Sequence, residues 1–476
     1  MKSAVTKAKL CGTIFALFFG TVSLLAAEPA ALHGYNAALG ESSISGVSSG
    51  AFMAVQFATA WSSAIRGVGV IAGGPFWCAK ADADDIFTGY TLPVLNATGQ
   101  CMKGPPPTID MNVLLAKAQA KAASGDIDPT QNLGRQKIYL FHGYNDAVVD
   151  KSVTDATADF YRHYLGDGGR GNLYYQTAIG AGHSLVVLPE PRISGLNSCN
   201  ENTDPYIDQC GYDQAGIVLQ HIYGILNPPN RGQLVGTTKS FDQSIYTKPD
   251  DPDTLSLGDT GYVFVPKDCE AGAECHVHIA LHGCNQDVSD IGRRFVDDTG
   301  YNSWADTNHL IVLYPQTKSS LLIPYNPEAC WDWWSYIDHG DNYVTKSGAQ
   351  IRTIKAMLDV LTAGTIPLAD AAAPGVAPAP IVTDTSDSGA ALAWPPIAGA
   401  GAYRVWRGRS DGTFELVGSV ERPSYADFGL APQSFYRWRV SAVVDGVEGP
   451  PSTEASATTR PMPAPCDAPG TCPINR

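Results

Sequence analysis

The sequence predicts an α/β protein, a mostly parallel sheet covered by helices, with a small β-sandwich after it. Three observations carry this. From about residue 28 to 365, strand-like runs that end in loops rich in Gly, Asn and Asp alternate with helical stretches, which is the pattern of a parallel sheet with crossover helices. A Pro/Ala-rich stretch at 367–380 then reads as a linker. Beyond it the periodicity changes to short alternating strands separated by turns.

The elements follow in order. Lys2, Lys7 and Lys9 precede an apolar run from about Leu10 to Leu25 and then Ala26-Ala27-Glu28. This reads as a secretory signal peptide over 1–27. A membrane anchor is the other reading, but the run is short and broken by Gly12, Thr13, Gly20, Thr21 and Ser23. Residues 42–46 form a short strand. Residues 51–64 form a helix with Met53, Phe57, Ala60, Trp61 and Ala64 on one face. Further strands are expected at 67–72, 137–141, 173–178, 262–265, 276–281 and 310–314. Helices are expected at 111–123, 153–164, 214–226 and 347–361. The α/β unit is thus 28–366 and the linker 367–380. In 381–460, Trp394, Tyr403, Val405, Tyr436, Trp438, Val440 and Ala442 resemble the core pattern of a fibronectin type III module. A Cys/Pro-containing tail, 461–476, follows.

Composition narrows the function. Charged residues make up 17% and the formal net charge is −15, three units more negative once the signal lysines leave. That acidity argues against nucleic acid, anionic membranes and polyanionic substrates, and leaves neutral ones open. After the signal, ten cysteines remain: Cys78, Cys101, Cys199, Cys210, Cys269, Cys275, Cys284, Cys330, Cys466 and Cys472. An even number in an exported chain reads as disulfides. Nearest-neighbour pairing gives five bridges, although sequence does not determine connectivity. No cysteine spacing looks like a zinc site. His276 and His278 share a strand face, but no third ligand is evident, so neither metal nor organic cofactor is expected.

Gly46-Val47-Ser48-Ser49-Gly50 has the G-x-S-x-G form of a nucleophile elbow, in which a strand turns sharply into a helix and lifts a serine hydroxyl clear of the backbone. By itself the pattern also fits an ordinary Gly/Ser turn. A serine nucleophile needs a base and a carboxylate to orient it. The strand at 137–141 runs into His142-Gly-Tyr-Asn-Asp146, and the run at 173–178 leads to Gly180-Ala-Gly-His183. Asp146 and His183 therefore fall where acid and base loops belong, in the order Ser, Asp, His. Asp146 could instead cap the following helix, Asp150 is a rival acid, and His142 is expected to shape the loop. Too little chain precedes Ser48 to supply the strand whose loop completes an oxyanion hole. A strand followed by His282-Gly283-Cys284 appears much later, which puts the order elbow, acid, base, oxyanion loop. That is a circular permutation of the α/β-hydrolase order.

These motifs, with Cys330-Trp331-Asp-Trp-Trp334, resemble the circularly permuted class of extracellular poly(3-hydroxybutyrate) depolymerases over roughly 35–365. The resemblance implies a triad of Ser48, Asp146 and His183, an oxyanion hole from the backbone N–H groups of Ser49 and Cys284, and a substrate-crevice tryptophan at Trp331. It implies a secreted or periplasmic monomer that needs no cofactor. Its substrate would be a neutral polyester or oligoester, with no nucleic-acid partner and no membrane partner after signal cleavage. A bridge from Cys284 to Cys330 is expected, because it would hold the oxyanion loop. The other pairs would be Cys78–Cys101, Cys199–Cys210, Cys269–Cys275 and Cys466–Cys472. Family members often carry a polymer-binding domain beyond the fibronectin-like module. Here adsorption would fall to that module, or the enzyme would act on amorphous polymer or soluble oligomers. The competing functions are a feruloyl or acetyl esterase acting on plant polysaccharide and a non-catalytic surface- or carbohydrate-binding protein.

Overall fold

The computed structural model describes residues 31–80, 91–104, 109–189, 193–363, 379–395, 397, 400–409, 412–420, 423–444 and 447–461. The expected signal peptide, most of the linker and nearly all of the tail, including Cys466 and Cys472, lie outside the described residues.

Its frame is an eight-stranded sheet built in chain order from β1 (Ser42–Val47), β2 (Ile65–Ile71), β3 (Lys137–Phe141) and β4 (Leu173–Gln176). A small parallel three-stranded sheet, β5 (Leu185–Val187), β6 (Asn197–Ser198) and β7 (Ile207–Gln209), lies apart from it. The main sheet resumes with β8 (Thr237–Asp242), β9 (Thr260–Val265), β10 (His276–Leu281) and β11 (Leu310–Tyr314). The spatial order is β4-β3-β2-β1-β10-β11-β9-β8. The pairs from β4 to β11 are parallel, while β9 and β8 are antiparallel. The strand entering the elbow is thus the direct neighbour of the strand entering the His-Gly loop, with Gly46 opposite Leu281.

Helices cover both faces, as the alternating pattern requires. On one side lie α1 (Ser49–Ala60), a helix at Met111–Ala123, one at Lys151–Leu165 and one at Ala349–Thr362. On the other lies the helix Gln214–Tyr223, whose Val218 and Leu219 are buried. Because α1 is wholly buried, its apolar residues surround it rather than forming one stripe, with Ser49, Gln56 and Thr59 as buried polar exceptions. The sequence boundaries drift by only a few residues. Gly224, at φ 89°, ends its helix earlier than expected; a positive φ of this kind favours glycine.

One feature of the sheet is not apolar. Ser43 and Ser45 on β1 face His278 on β10, and their hydroxyls engage its Nδ1 and Nε2 at 2.7 and 2.8 Å. Tyr223 and Tyr301 extend the chain at either end, each 2.7 Å from a serine. Burial pushes the His278 imidazole down to about 3, so it stays neutral with both nitrogens occupied. His276 instead stacks on Tyr223.

The C-terminal region folds as two antiparallel sheets. One holds β12 (Ile381–Thr385), β13 (Gly389–Ala393) and β16 (Ser424–Phe428). The other holds β14 (Ala400–Gly408), β15 (Phe414–Val420), β17 (Phe435–Val444), β18 (Val447–Glu448) and β19 (Ala455–Thr458). Trp394, Tyr403, Val405, Trp438 and Val440 fill the space between, the arrangement of a β-sandwich.

Candidate active site

The elbow is built by close packing. Ser48 sits at φ 55° and ψ −123°, a conformation that costs a non-glycine residue about 1–3 kcal/mol. Its N–H donates to Ile71 O at 2.9 Å, and its carbonyl accepts from Ala51 and Phe52. The flanking glycines are needed for space. A Cβ on Gly46 would lie 2.2 Å from the Gly50 carbonyl oxygen, and one on Gly50 would lie 2.3 Å from that of His282. The His-Gly loop therefore presses against the elbow itself. A Cβ on Gly283 would come within 3.2 Å of Ser48 Cβ.

Asp146 and His183 meet from two separate loops. His183 Nδ1 lies 2.8 Å from Asp146 Oδ2. The other carboxylate oxygen accepts from the Val148 and Val149 N–H groups at 2.8 and 3.0 Å. Burial alone would raise the Asp146 pKa. The hydrogen bond and charge of His183, with those backbone donors, hold it below the usual carboxylate range. The rival Asp150 instead caps the helix Lys151–Leu165 by accepting from Ser152 N at 2.9 Å. His142 Nε2 donates to Val149 O at 2.9 Å and so folds the acid loop.

Two residues that the sequence reading did not single out hold these loops together. Asn202 Oδ1 accepts from His183 N at 2.7 Å and from Ala147 N at 3.0 Å, joining the base loop to the acid loop. Gln286, 1% exposed, accepts from Gly283 N at 2.7 Å and donates through Nε2 to Pro205 O at 2.9 Å and Tyr206 O at 3.2 Å. Asn285 N donates to Glu328 O at 2.7 Å. The N–H groups on either side of Cys284 are thus committed. His282 completes the brace. Thr317 N donates to its Nε2 at 3.2 Å, which leaves the proton on Nδ1 for Gly283 O at 2.7 Å. Burial pushes this imidazole down to about 4. The Cys284–Cys330 disulfide is formed, as are Cys78–Cys101, Cys199–Cys210 and Cys269–Cys275, a set that fits an oxidising compartment.

Ser48, Ser49, His183 and Cys284 line one cavity of about 410 Å³, and Asp146 stands behind His183. Its walls are mostly apolar: Phe52, Val94, Met102, Val149, Trp333 and Trp334 among them. Trp331 is not in the crevice, which corrects the expectation from the motif. It is fully buried, and its indole N–H donates to His282 O at 2.9 Å. It supports the loop from below. Trp333, stacked on Phe52 at 4.1 Å between ring centroids, and Trp334 form the wall instead.

The fold and the site define a serine ester hydrolase of the α/β-hydrolase type in which the oxyanion-loop strand follows the elbow in sequence. No family model matches the chain. It is 38% identical over 426 residues to a poly(3-hydroxybutyrate) depolymerase of Delftia acidovorans, covering 87% of this chain and 78% of that protein. It is also 38% identical over 357 residues to a polyhydroxybutyrate depolymerase of Talaromyces funiculosus, covering 72% and 96%. A solved PHB depolymerase, a serine-to-alanine variant complexed with an R3HB trimer, superposes with a TM-score of 0.61 at 33% identity, over 70% of this chain and 98% of that one. The chain belongs to the poly(3-hydroxybutyrate) depolymerase family.

Proposed function

We propose that this protein is a secreted esterase that cleaves poly(3-hydroxybutyrate) or its oligomers through an acyl-enzyme on Ser48. One observation carries the reading: an apolar cavity brings together the elbow serine, a histidine paired with a buried carboxylate, and a braced loop. His183 takes the Ser48 proton as the oxygen attacks the ester carbonyl. The Ser49 and Cys284 N–H groups receive the developing oxyanion. His183 then protonates the departing alcohol oxygen, leaving the 3-hydroxyacyl group on Ser48. Water, deprotonated by His183, attacks that ester and releases the acid. Asp146 remains ionised and stabilises the imidazolium. The chemistry assigns no step to a metal or an organic cofactor.

The near absence of charge along the cavity wall suits a neutral aliphatic ester; Glu328 is the one charged residue among those that line it. The disulfides and the basic-then-apolar N-terminus support export with removal of 1–27, the catalytic unit at 28–366 and the sandwich at 381–460. Among the described residues, no helix is long and apolar enough to cross a membrane. The enzyme is expected to act as a monomer. The test is product analysis on amorphous poly(3-hydroxybutyrate) beside feruloylated xylan, with Ser48→Ala as control. The expected result is 3-hydroxybutyrate and short oligomers from the polyester alone, and a loss on the order of a million-fold in the variant, as for subtilisin-like triads. Turnover of the xylan ester alone, or a folded Ser48→Ala protein with near-normal activity, would sink the assignment.

A further inference from the structure

We propose that Glu328 is a charge filter on the ester site, a lone carboxylate that expels the newly formed acid product from the oxyanion hole while a neutral ester remains free to bind. This rests on the reading above that Ser48 is the nucleophile and that the Ser49 and Cys284 N–H groups form the hole.

Glu328 is exposed and lines the cavity that holds Ser48 and His183. One of its carboxylate oxygens lies within 4.8 Å of the sulfur atoms of both Cys284 and Cys330. Cys284 therefore carries a donor of the hole on its backbone and the Glu328 charge against its side chain. The segment is pinned there. Glu328 O accepts from Asn285 N at 2.7 Å, and the Cys284–Cys330 disulfide ties the two stretches of chain together. Among the described residues, no cation pairs with this carboxylate. Lys318 is taken by Asp253. Lys103, next to the lining residue Met102, donates to Ala147 O and Val148 O at 3.4 and 3.1 Å. The field reaches the base as well. Tyr206 packs edge-on to His183 at 6.3 Å between ring centroids, and burial first, then the charges of Asp204 and Glu328, raise its phenol.

Three states of the site feel this charge differently. The bound ester is neutral. In the transition state the oxyanion is balanced by the His183 imidazolium, so the two present a dipole rather than a net charge to Glu328. After water opens the acyl-enzyme, the acid passes its proton through His183 to solvent, and the site holds a net anion. Two N–H donors are ready for that carboxylate, and charge-assisted hydrogen bonds are stronger than those to a neutral ester carbonyl. The hole by itself would therefore retain product. A like charge in the same cavity opposes that retention. Every cut in a polyester leaves such a carboxylate on a new chain end, so the same repulsion clears the site after each turnover.

The test compares the full chain with its Glu328→Gln and Glu328→Lys variants at pH 8 and low salt. The probes are the 3-hydroxybutyrate dimer as the free acid and as its terminal amide, each used to inhibit hydrolysis of p-nitrophenyl butyrate. The readout is the ratio of the inhibition constant of the acid to that of the amide. It should fall about threefold in Glu328→Gln and about tenfold in Glu328→Lys, the graded response of a like-charge repulsion. In 1 M NaCl, where the Debye length is about 3 Å, the three proteins should converge. A ratio that is the same in all three proteins at low salt overturns the proposal, since a change of shape alone moves acid and amide together. So does a difference that persists in 1 M NaCl. If hydrolysis needs Ser48 and the ratio is flat, the charge filter alone has failed. If a folded Ser48→Ala protein still hydrolyses the ester, the reading of the site beneath it has failed.

Discussion

Replacing Gln286 with alanine tests how much of the oxyanion loop's position depends on that side chain. Gln286 is 1% exposed and serves three partners, Gly283 N at 2.7 Å, Pro205 O at 2.9 Å and Tyr206 O at 3.2 Å. Truncation strands these groups, each at about 1–3 kcal/mol when buried without a partner. Water entering from the adjoining cavity would recover part of that, so a stability loss of about 2–4 kcal/mol is expected. The catalytic effect is separable. Releasing Gly283 N leaves the next peptide, which carries the Cys284 N–H, held only through Gly283 O by His282 Nδ1, so that it can shift. Removing an oxyanion donor outright costs about 10²–10³ in kcat. The disulfide still tethers Cys284 here, so about 10–100-fold is expected. KM for p-nitrophenyl butyrate should hold within threefold, since the ground-state ester gains little from that donor. Gln286→Glu sharpens the assay. Its carboxylate can accept from Gly283 but repels the two carbonyls, whereas the protonated acid can serve both sides. Its kcat relative to wild type should therefore rise as pH falls. An alanine variant that loses stability but keeps kcat within twofold would refute the positioning role.

Three further outcomes are expected. Cys284→Ala/Cys330→Ala opens a bridge spanning 46 residues and should cost about 4 kcal/mol in the chain-entropy model, with a lower kcat, read by denaturant melts and p-nitrophenyl butyrate turnover; unchanged values for both would count against the brace. Trp334→Ala should raise KM for a 3-hydroxybutyrate trimer while leaving p-nitrophenyl acetate nearly untouched, because a short ester does not reach that wall; equal effects on both would remove Trp334 from the binding surface. His278 has a folded pKa depressed from 6.5 to about 3, so its contribution to stability is fully present above pH 6.5 and is lost as pH falls toward 3, because only the unfolded chain takes up the proton. The stability gap between wild type and His278→Asn should therefore narrow by about 1.4 kcal/mol per pH unit over that window, and a gap that stays constant would mean His278 is not held neutral.

Much of the site was legible because each part is a local signal at the end of a strand. The elbow, the His-Gly loop and the strands at Lys137–Phe141, His276–Leu281 and Leu310–Tyr314 announce themselves by apolar runs that stop at a glycine or, after Tyr314, a proline. Choosing between Asp146 and Asp150 was harder, since both sit in one loop and both accept backbone N–H groups; only the fold tells which carboxylate faces His183. Trp331 was misplaced for a related reason. In the irregular segment 331–334 no period says which aromatic faces the cleft, and the deciding contact is its N–H to His282 O, 49 residues away in sequence. Gln286 and Asn202 left no pattern, because single amides joining distant loops look like surface residues until those loops meet. The wall helix Thr91–Thr98 was also missed, its short length giving too few turns for a periodic stripe.

The pairing of β1 with β10 has a consequence for how the molecule comes into being. Ser43 and His278 are 235 positions apart, yet they sit side by side at the centre of the sheet. A chain emerging during synthesis displays Ser48 long before the strand that must lie beside it. Until then β1 has one unpaired edge, and the serine lacks the donors contributed from Gly283–Gln286. Such long-range pairing makes for slow assembly. A hydrolase wired in this order becomes competent only when the whole catalytic unit has closed. A version cut before His276 would keep its serine, aspartate and histidine and still hydrolyse nothing.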